Sequence, residues 1–360
     1  MYYAKLFLWR TGMTNQIFGL ITSILVCITK THHKVIIFDN FSNDFINEDV
    51  TPISKILNID KMNIFLKKNY GVIIACKNDV VFKLDRVYYG KDENKIDITD
   101  EINKDFLKDG ALIIKKETNL NKIKGDPCIM TQKKIYINYT INDNKAVEIY
   151  DEYMDFLYED IFINYLNTEY NYNFGCTYKI AQTMFDDILV NIEFNNEYLE
   201  NASKILNFID INKKINVLHL RLEEDAIKHW AVQNQLSEDD FKNKLEEKYI
   251  DAIKCHINKD DQTIILSGSL SNRVTEFLKN NNYNFMFSEK FFVGREKNAI
   301  VDLLIAKNCN NVFLGNYNMQ RCTGSTFSYF IDKVLTDVTK KMYIDLDRIN
   351  EDLVVYSSKS

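Results

Sequence analysis

The sequence is poor in chain breakers. Among 360 residues there are 11 glycines and 2 prolines, too few for a series of tight-turn repeats or for Pro-rich linkers, so continuous helices and strands are expected. Paired cysteines are also missing. The seven cysteines (Cys27, Cys76, Cys128, Cys176, Cys255, Cys309 and Cys322) are scattered, with no C-x-x-C pair and an odd total. That excludes a disulfide framework and a zinc site of ordinary spacing, and reads as reduced, mostly buried thiols in a cytoplasmic protein. Long hydrophobic runs are absent. The most apolar stretch, 17–28, is too short to span a bilayer, follows a polar loop and lacks a small-residue cleavage site, so neither a membrane span nor a signal peptide is expected. Excess positive charge is lacking too. A net charge of −6 and a pI near 5.6 argue against a nucleic-acid or anionic-membrane binder, while leaving room for a local cationic pocket.

What is present is a globular composition, 46% hydrophobic and 27% charged, with a length that suggests two domains. Arginine is the informative residue. Only seven of the 45 basic residues are arginine, and where lysine is the default cation an arginine is more often needed for its planar, bidentate fork. Arg221 lies in the stretch Val-Leu-His-Leu-Arg-Leu-Glu-Glu-Asp, 217–225. A short apolar strand ends there near His219 or Leu220, and an arginine and three acidic residues follow. Open α/β sheets keep their ligand sites at such carboxyl ends. A purely structural pairing of Arg221 with Glu223 or Asp225 fits the spacing equally well.

Read in order, residues 3–9 predict a strand, 10–15 a Gly-containing loop, 17–28 a helix by apolar spacing, and 35–38 a second strand, together a βαβ unit. Strands are expected at 71–76, 80–89, 111–115 and 134–140, as inserted or peripheral structure, followed by helices at 151–166, 178–189 and 196–208. The aromatics at 150, 153, 156, 158, 162 and 165 read as core rather than as a sugar platform. A polar stretch at 210–214 marks a boundary between domains 1–209 and 210–360. The second half then alternates strictly: strands at 216–220, 263–266, 284–287 and 311–314, helices at 238–256, 271–280, 296–307 and 325–336. Ser237 with Asp240 opens the first of these helices as a cap. Alternation of this kind means a parallel, doubly wound sheet. The expected fold class is α/β, with two Rossmann-like domains facing across a cleft.

Three segments carry a resemblance. His219-x-Arg221-x-Glu223 resembles the His-x-Arg-x-Glu/Asp signature of the GDP-fucose-dependent O-fucosyltransferases and their relatives. Gly12-Met13-Thr14-Asn15-Gln16 resembles their N-terminal Gly-x-x-Asn-Gln loop. The run from Ala299 through Asp302-Leu303, then Gly315-Asn316, then Gly324-Ser325-Thr326-Phe327 resembles their Ala-x-x-Asp-Leu helix, Gly-Asn strand end and Ser-Ser/Thr-Phe turn, in the family's order. These matches cover about a fifth of the chain. The resemblance implies a GT-B fold and an inverting, metal-independent transfer of a sugar, most simply L-fucose, from a GDP-sugar to a glycan or glycoprotein hydroxyl. It implies no cofactor beyond the donor. Another GDP-sugar such as GDP-rhamnose or GDP-mannose, or a silent nucleotide- or glycan-binding protein of the same fold, remains an alternative.

The chemistry of the residues fits that implication. Ser325 and Thr326 open a helix whose free N–H groups can hold phosphate oxygens, and Gly324 precedes them. Phe327 can stack on a base or pack beneath it. Asp302 interrupts an apolar helix; guanine N1–H and N2–H would satisfy it, as would Arg295 or a backbone N–H. Gly12 allows close backbone approach, Met13 and Thr14 follow it at a helix start that favours a negative group, and Asn15 is either a sugar-side ligand or a helix cap. The resemblance assigns Arg221 to the leaving diphosphate, with His219 beside it. Inverting transfer calls for a base, and relatives that place a glutamate in the N-terminal loop are not matched here. Glu223 is the candidate among Glu223, Glu224, Asp225 and Asp39. The single Asp-x-Asp, at Asp345 and Asp347, reads as a solvated turn rather than a metal site.

Overall fold

A computed structural model describes residues 2–4, 12–30, 35–38, 41–42, 50–76, 82–108, 111–141, 144–153, 156–157, 161–163, 182–210, 212–267, 272–288, 290–292, 294–318, 321, 323–335 and 340–357. Arg10, Asp39, Cys176, Cys322 and residues 178–181 of the expected helix at 178–189 lie outside these.

The first unit opens with strand β1 (Tyr2–Ala4), helix α1 (Met13–Lys30) and strand β2 (Val35–Phe38), then helix α2 (Ile59–Tyr70) and strand β3 (Ile73–Cys76). The three strands form a parallel sheet in the order β1-β2-β3. An antiparallel sheet of five strands follows, containing β4 (Phe82–Lys91), β5 (Asn94–Asp97), β6 (Lys134–Ile141), β7 (Asn144–Tyr153) and β8 (Phe156–Leu157) around its own apolar cluster. Here the structure corrects the sequence reading. Residues 151–153, 156–157 and 161–163 are extended, not helical. The reason is an inverted pattern on β7: Glu148, Tyr150 and Glu152 lean inward, while Val147 and Ile149 are 59% and 54% exposed. The inward carboxylates are satisfied by Tyr139, Tyr150 and Tyr89 hydroxyls and by the buried Lys133. A polar inside and an apolar outside hide the period of two that marks a strand.

Helices α3 (Gln182–Val190) and α4 (Asn196–Leu206) lead into the second unit. It comprises β9 (Ile215–His219), α5 (Glu224–Gln233), α6 (Glu238–His256), β10 (Gln262–Leu266), α7 (Asn272–Asn280), β11 (Phe285–Phe287), α8 (Arg295–Ala306), β12 (Val312–Gly315), α9 (Thr326–Val334), β13 (Lys340–Tyr343) and β14 (Val354–Ser357). Helix α5 and strands β13 and β14 were not expected. The sheet order is β11-β10-β9-β12-β13-β14, parallel except for the last strand. Counted within the unit this is 3-2-1-4-5-6, whose crevice opens between β9 and β12, where the winding reverses.

All five positions of β9 are buried. Val217 faces a cluster shared with α1, α3, α4, α8 and α9, while Leu218 faces a second cluster with α5, α6 and α7. Helices on both faces explain its near-continuous apolar run. The shared cluster joins the halves: Phe18 of α1 packs against Phe185, Tyr329 and Phe330, with ring centroids 5.4, 5.8 and 5.9 Å away. The architecture is the expected α/β one, two units with parallel sheets across a cleft.

Asp345 is a second correction. It is 5% exposed, not solvated, and accepts from Asn318 Nδ2 at 2.6 Å and Arg321 at 3.0 Å, while Asp347 accepts from Trp230 Nε1 at 3.1 Å. Both carboxylates are used to fasten the turn after β13.

Candidate active site

A cavity of about 620 Å³ lies at the carboxyl ends of β9 and β10, lined also by Ser288 after β11 and by the start of α9. All twelve site residues expected from sequence line it: Gly12, Met13, Thr14 and Asn15; His219, Arg221 and Glu223; Asp302; Gly324, Ser325, Thr326 and Phe327. Four helices, α1, α5, α8 and α9, present their N-terminal turns there. This follows from the topology, because helices that follow parallel strands begin where those strands end.

The switch point is held by Asn316, which is fully buried. Its side-chain oxygen accepts from Tyr249 Oη at 2.8 Å, and that hydroxyl accepts in turn from the Arg221 N–H at 2.8 Å. Its own N–H donates to Ser328 Oγ at 2.8 Å, and its carbonyl accepts from the Ser325 N–H at 2.6 Å. One asparagine thus fixes the strand-end arginine and the start of α9 together. Gly324 has φ of +114°, and a Cβ there would stand 2.5 Å from the Asn316 carbonyl oxygen, so no other residue fits.

His219 is 4% exposed, with Nδ1 2.7 Å from Ser328 Oγ and its ring edge-on to Phe327 at 5.0 Å. Burial pushes its pKa down to about 3, so the imidazole is neutral at neutral pH, and Nε2 is the nitrogen left for a ligand. The Arg221 guanidinium meets Glu223 at 2.5 Å and Asp225 at 3.0 Å. Both structural pairings considered from sequence therefore exist, on a side chain that also faces the cavity. Burial pushes the Glu223 carboxyl up, but Arg221, His219 and Arg295 outweigh it and hold it below the ordinary value.

Asp302 does not pair with Arg295. Ser288 is its hydrogen-bonding partner, and its Oδ1 has no partner. Burial lifts its carboxyl to about 7, with the Ser288 bond only partly offsetting this. Asn15 is not a helix cap: α1 begins at Met13 and its first bond runs from the Gln16 N–H to the Gly12 carbonyl. Ser325 stands at the N-cap of α9 yet makes no side-chain cap hydrogen bond, and neither does Glu223 on α5; on α8 the cap is Gly294. By contrast Ser237 caps α6, accepting from the Asp240 N–H at 3.1 Å. The first turns of α5, α8 and α9 thus open on the cavity without a side-chain cap, a feature shared by α4, which opens on Asn195 outside the lining.

Several lining residues were not singled out by sequence, among them Lys290, Phe292, Glu296 and Asn298. Asn298 makes four hydrogen bonds to the preceding loop, accepting from the Phe291 and Phe292 N–H groups at 2.8 and 3.1 Å and donating to the Phe292 and Gly294 carbonyls at 2.8 and 2.6 Å. Glu296 is 3% exposed and accepts from the Met13 N–H of α1. Burial lifts its carboxyl above the usual glutamate value, against the pull of Arg295 and of that N–H. No local motif marks either residue. The rarity of arginine was the one signal near them, at Arg295.

No protein-family model matches the chain, and no curated protein does. Among solved structures, POFUT1 in complex with GDP-fucose aligns over 92% of this chain and 93% of that one, at 11% identity and a TM-score of 0.47. POFUT1 in complex with GDP aligns over 94% and 97%, at 10% identity and a TM-score of 0.47. The fucosyltransferase NodZ from Bradyrhizobium aligns over 49% of this chain and 53% of that one, at 13% identity and a TM-score of 0.34. The chain thus spans about half the length of NodZ. Likeness at this level is loose and says nothing of chemistry.

Proposed function

We propose that this protein is an inverting, metal-independent glycosyltransferase that moves a sugar, L-fucose in the simplest reading, from a GDP-sugar to a hydroxyl of a glycan or protein, in the cytoplasm. One observation supports this most: a parallel-sheet switch point where helix N-termini without side-chain caps, the Arg221 fork and an unbonded Asp302 oxygen share one cavity. Each helix N-terminus carries roughly half a positive charge. Three cations and four carboxylates line the cavity, and burial, which lifts the Asp302 carboxyl to about 7, weakens the negative side of that balance. A diphosphate fits such a field. As the sugar–phosphate bond breaks, charge grows on the β-phosphate, and Arg221 with the α9 N-terminus would hold it. Asp302 would accept from guanine N1–H and N2–H. The Asp-x-Asp carboxylates are engaged with Asn318, Arg321 and Trp230 outside the cavity lining, which favours charge stabilisation by side chains and helix termini over a metal held there.

A catalytically silent nucleotide- or glycan-binding protein is the second reading, and the occupation of the Arg221 fork by Glu223 and Asp225 favours it. The two separate by turnover. In a thermal-shift panel of GDP, UDP, ADP and CMP, GDP should raise the melting temperature most, and GDP-fucose should then be hydrolysed. Equal shifts for all four would sink guanine recognition; GDP binding without hydrolysis would select the silent protein.

A further inference from the structure

An inverting transfer needs a group to take the proton of the attacking hydroxyl, and four carboxylates line the cavity. Two of them are committed. Glu223 contacts one terminal nitrogen of Arg221 at 2.5 Å and Asp225 contacts the other at 3.0 Å, and a carboxylate locked to a guanidinium is a weak proton acceptor. Asp302 lies nearly two turns along α8 from the helix start, against Ser288, where the guanine edge is placed. Glu296 remains. It projects from the first turn of α8 to the loop that the first unit contributes, with one carboxylate oxygen accepting from the Met13 N–H. A Cβ on Gly12 would lie 3.5 Å from that oxygen and 3.8 Å from the other. On its far side, Arg295 Nε is 4.0 Å from Oε1, and the Arg295 guanidinium reaches Asp225 at 3.6 Å. The carboxylate thus stands between the first unit's loop and the ion pairs that hold Arg221.

We propose that Glu296 is the general base of the transfer. The Met13 N–H holds Oε2 and orients the group, leaving Oε1 to take the proton. In the step, the O–H bond of the acceptor breaks and its proton passes to Oε1. The acceptor oxygen bonds the anomeric carbon, the bond from that carbon to the β-phosphate oxygen breaks, and its electron pair leaves on the diphosphate. Atoms and charge balance with no further reactant. The raised carboxyl of Glu296 suits the task, since a base works best when its pKa approaches the working pH. The charged groups facing it are Arg295 on its own helix, Arg221 from the β9–α5 connection and Asp225 from the first turn of α5; α1 contributes the Met13 N–H.

This rests on the nucleotide-sugar reading, and hydrolysis of GDP-fucose by water tests it without knowledge of the acceptor. Glu296→Gln keeps the shape and an oxygen for the Met13 N–H. The variant should retain the GDP-induced thermal shift, lose on the order of a hundredfold in kcat, and lose the acidic limb of the pH–rate profile seen in the parent. Glu296→Ala should recover part of its rate in sodium formate, which supplies a diffusible carboxylate. Near-parental turnover in Glu296→Gln, or an unchanged acidic limb, overturns the assignment while leaving the transferase reading intact. A parent protein that binds GDP but hydrolyses no GDP-fucose overturns both.

Discussion

The Arg221 guanidinium is already gripped by two carboxylates, one at 2.5 Å and one at 3.0 Å, so a diphosphate must share or displace them. Arg221→Lys separates the two uses of the side chain, because a point donor can keep one ion pair but cannot span two phosphate oxygens. The variant should fold, retain part of its GDP affinity and lose most of its kcat, with a smaller change in KM for the donor. Turnover close to the parent's, on samples with matched melting curves, would reduce Arg221 to a structural partner of Glu223. Asp302 offers a test by pH. An unfolded aspartate releases its proton near pH 4, the folded one only at about 7. Its raised pKa therefore contributes stability below about pH 4 that is lost as pH rises through 7. Asp302→Asn removes this loss, and should raise the melting temperature at pH 8 by more than at pH 5 while weakening GDP binding by roughly ten- to a hundredfold, the equivalent of one or two hydrogen bonds to a base. A stability gain that is the same at both pH values would mean that the carboxyl is satisfied in solution.

Among the elements, the loop before α8 depends on a single side chain. Phe292 of that loop packs its ring 5.1 Å from Tyr198 of α4, and both it and Gly294 line the cavity, so the loop connects the core to the site. Its backbone is satisfied by Asn298 through four hydrogen bonds. Asn298→Ala should cost about 2 kcal/mol, the scale of buried groups left unpaired, and weaken GDP binding as well, read by denaturant melts and calorimetry on one preparation. Ser237→Ala on α6 serves as the comparison. Losing that cap should cost about 1 kcal/mol and leave GDP affinity unchanged, because α6 opens outside the cavity lining.

Over the whole molecule, the two parallel sheets are separate but their helices share one apolar cluster. Lys333 of α9 meets Asp186 of α3 at 2.8 Å, and Tyr329 Oη accepts from Gln182 Nε2 at 2.9 Å. A shared apolar interface of this kind couples its halves more tightly than the polar contacts usual between domains. The parallel-sheet units should therefore unfold in one transition, and GDP should shift the whole of it. Two resolved transitions, with GDP moving only one, would show the halves to be independent. Donor turnover should also survive EDTA; loss on chelation with recovery in manganese would contradict a metal-independent transfer.

Much of this was legible in the sequence because parallel α/β architecture writes itself locally. Apolar runs such as 215–219 are fully buried strands, the 3.6-residue spacing of 17–28 is a helix, and the glycine before Ser325 answers to a backbone contact that tolerates no side chain. The strand-end motifs shared a cavity because helices after parallel strands all begin on the same edge of a sheet. Tertiary structure alone decided the rest. The strand 144–153 carries its carboxylates inward, which becomes intelligible only beside the tyrosines and the lysine that satisfy them. The ionisation of Asp302 and Glu296 depends on what buries them, and sequence spacing does not report burial. Glu296 lies 283 residues from the Met13 N–H it accepts, and no short pattern can encode a partner at that separation, because only the packing of one unit against the other brings the two together.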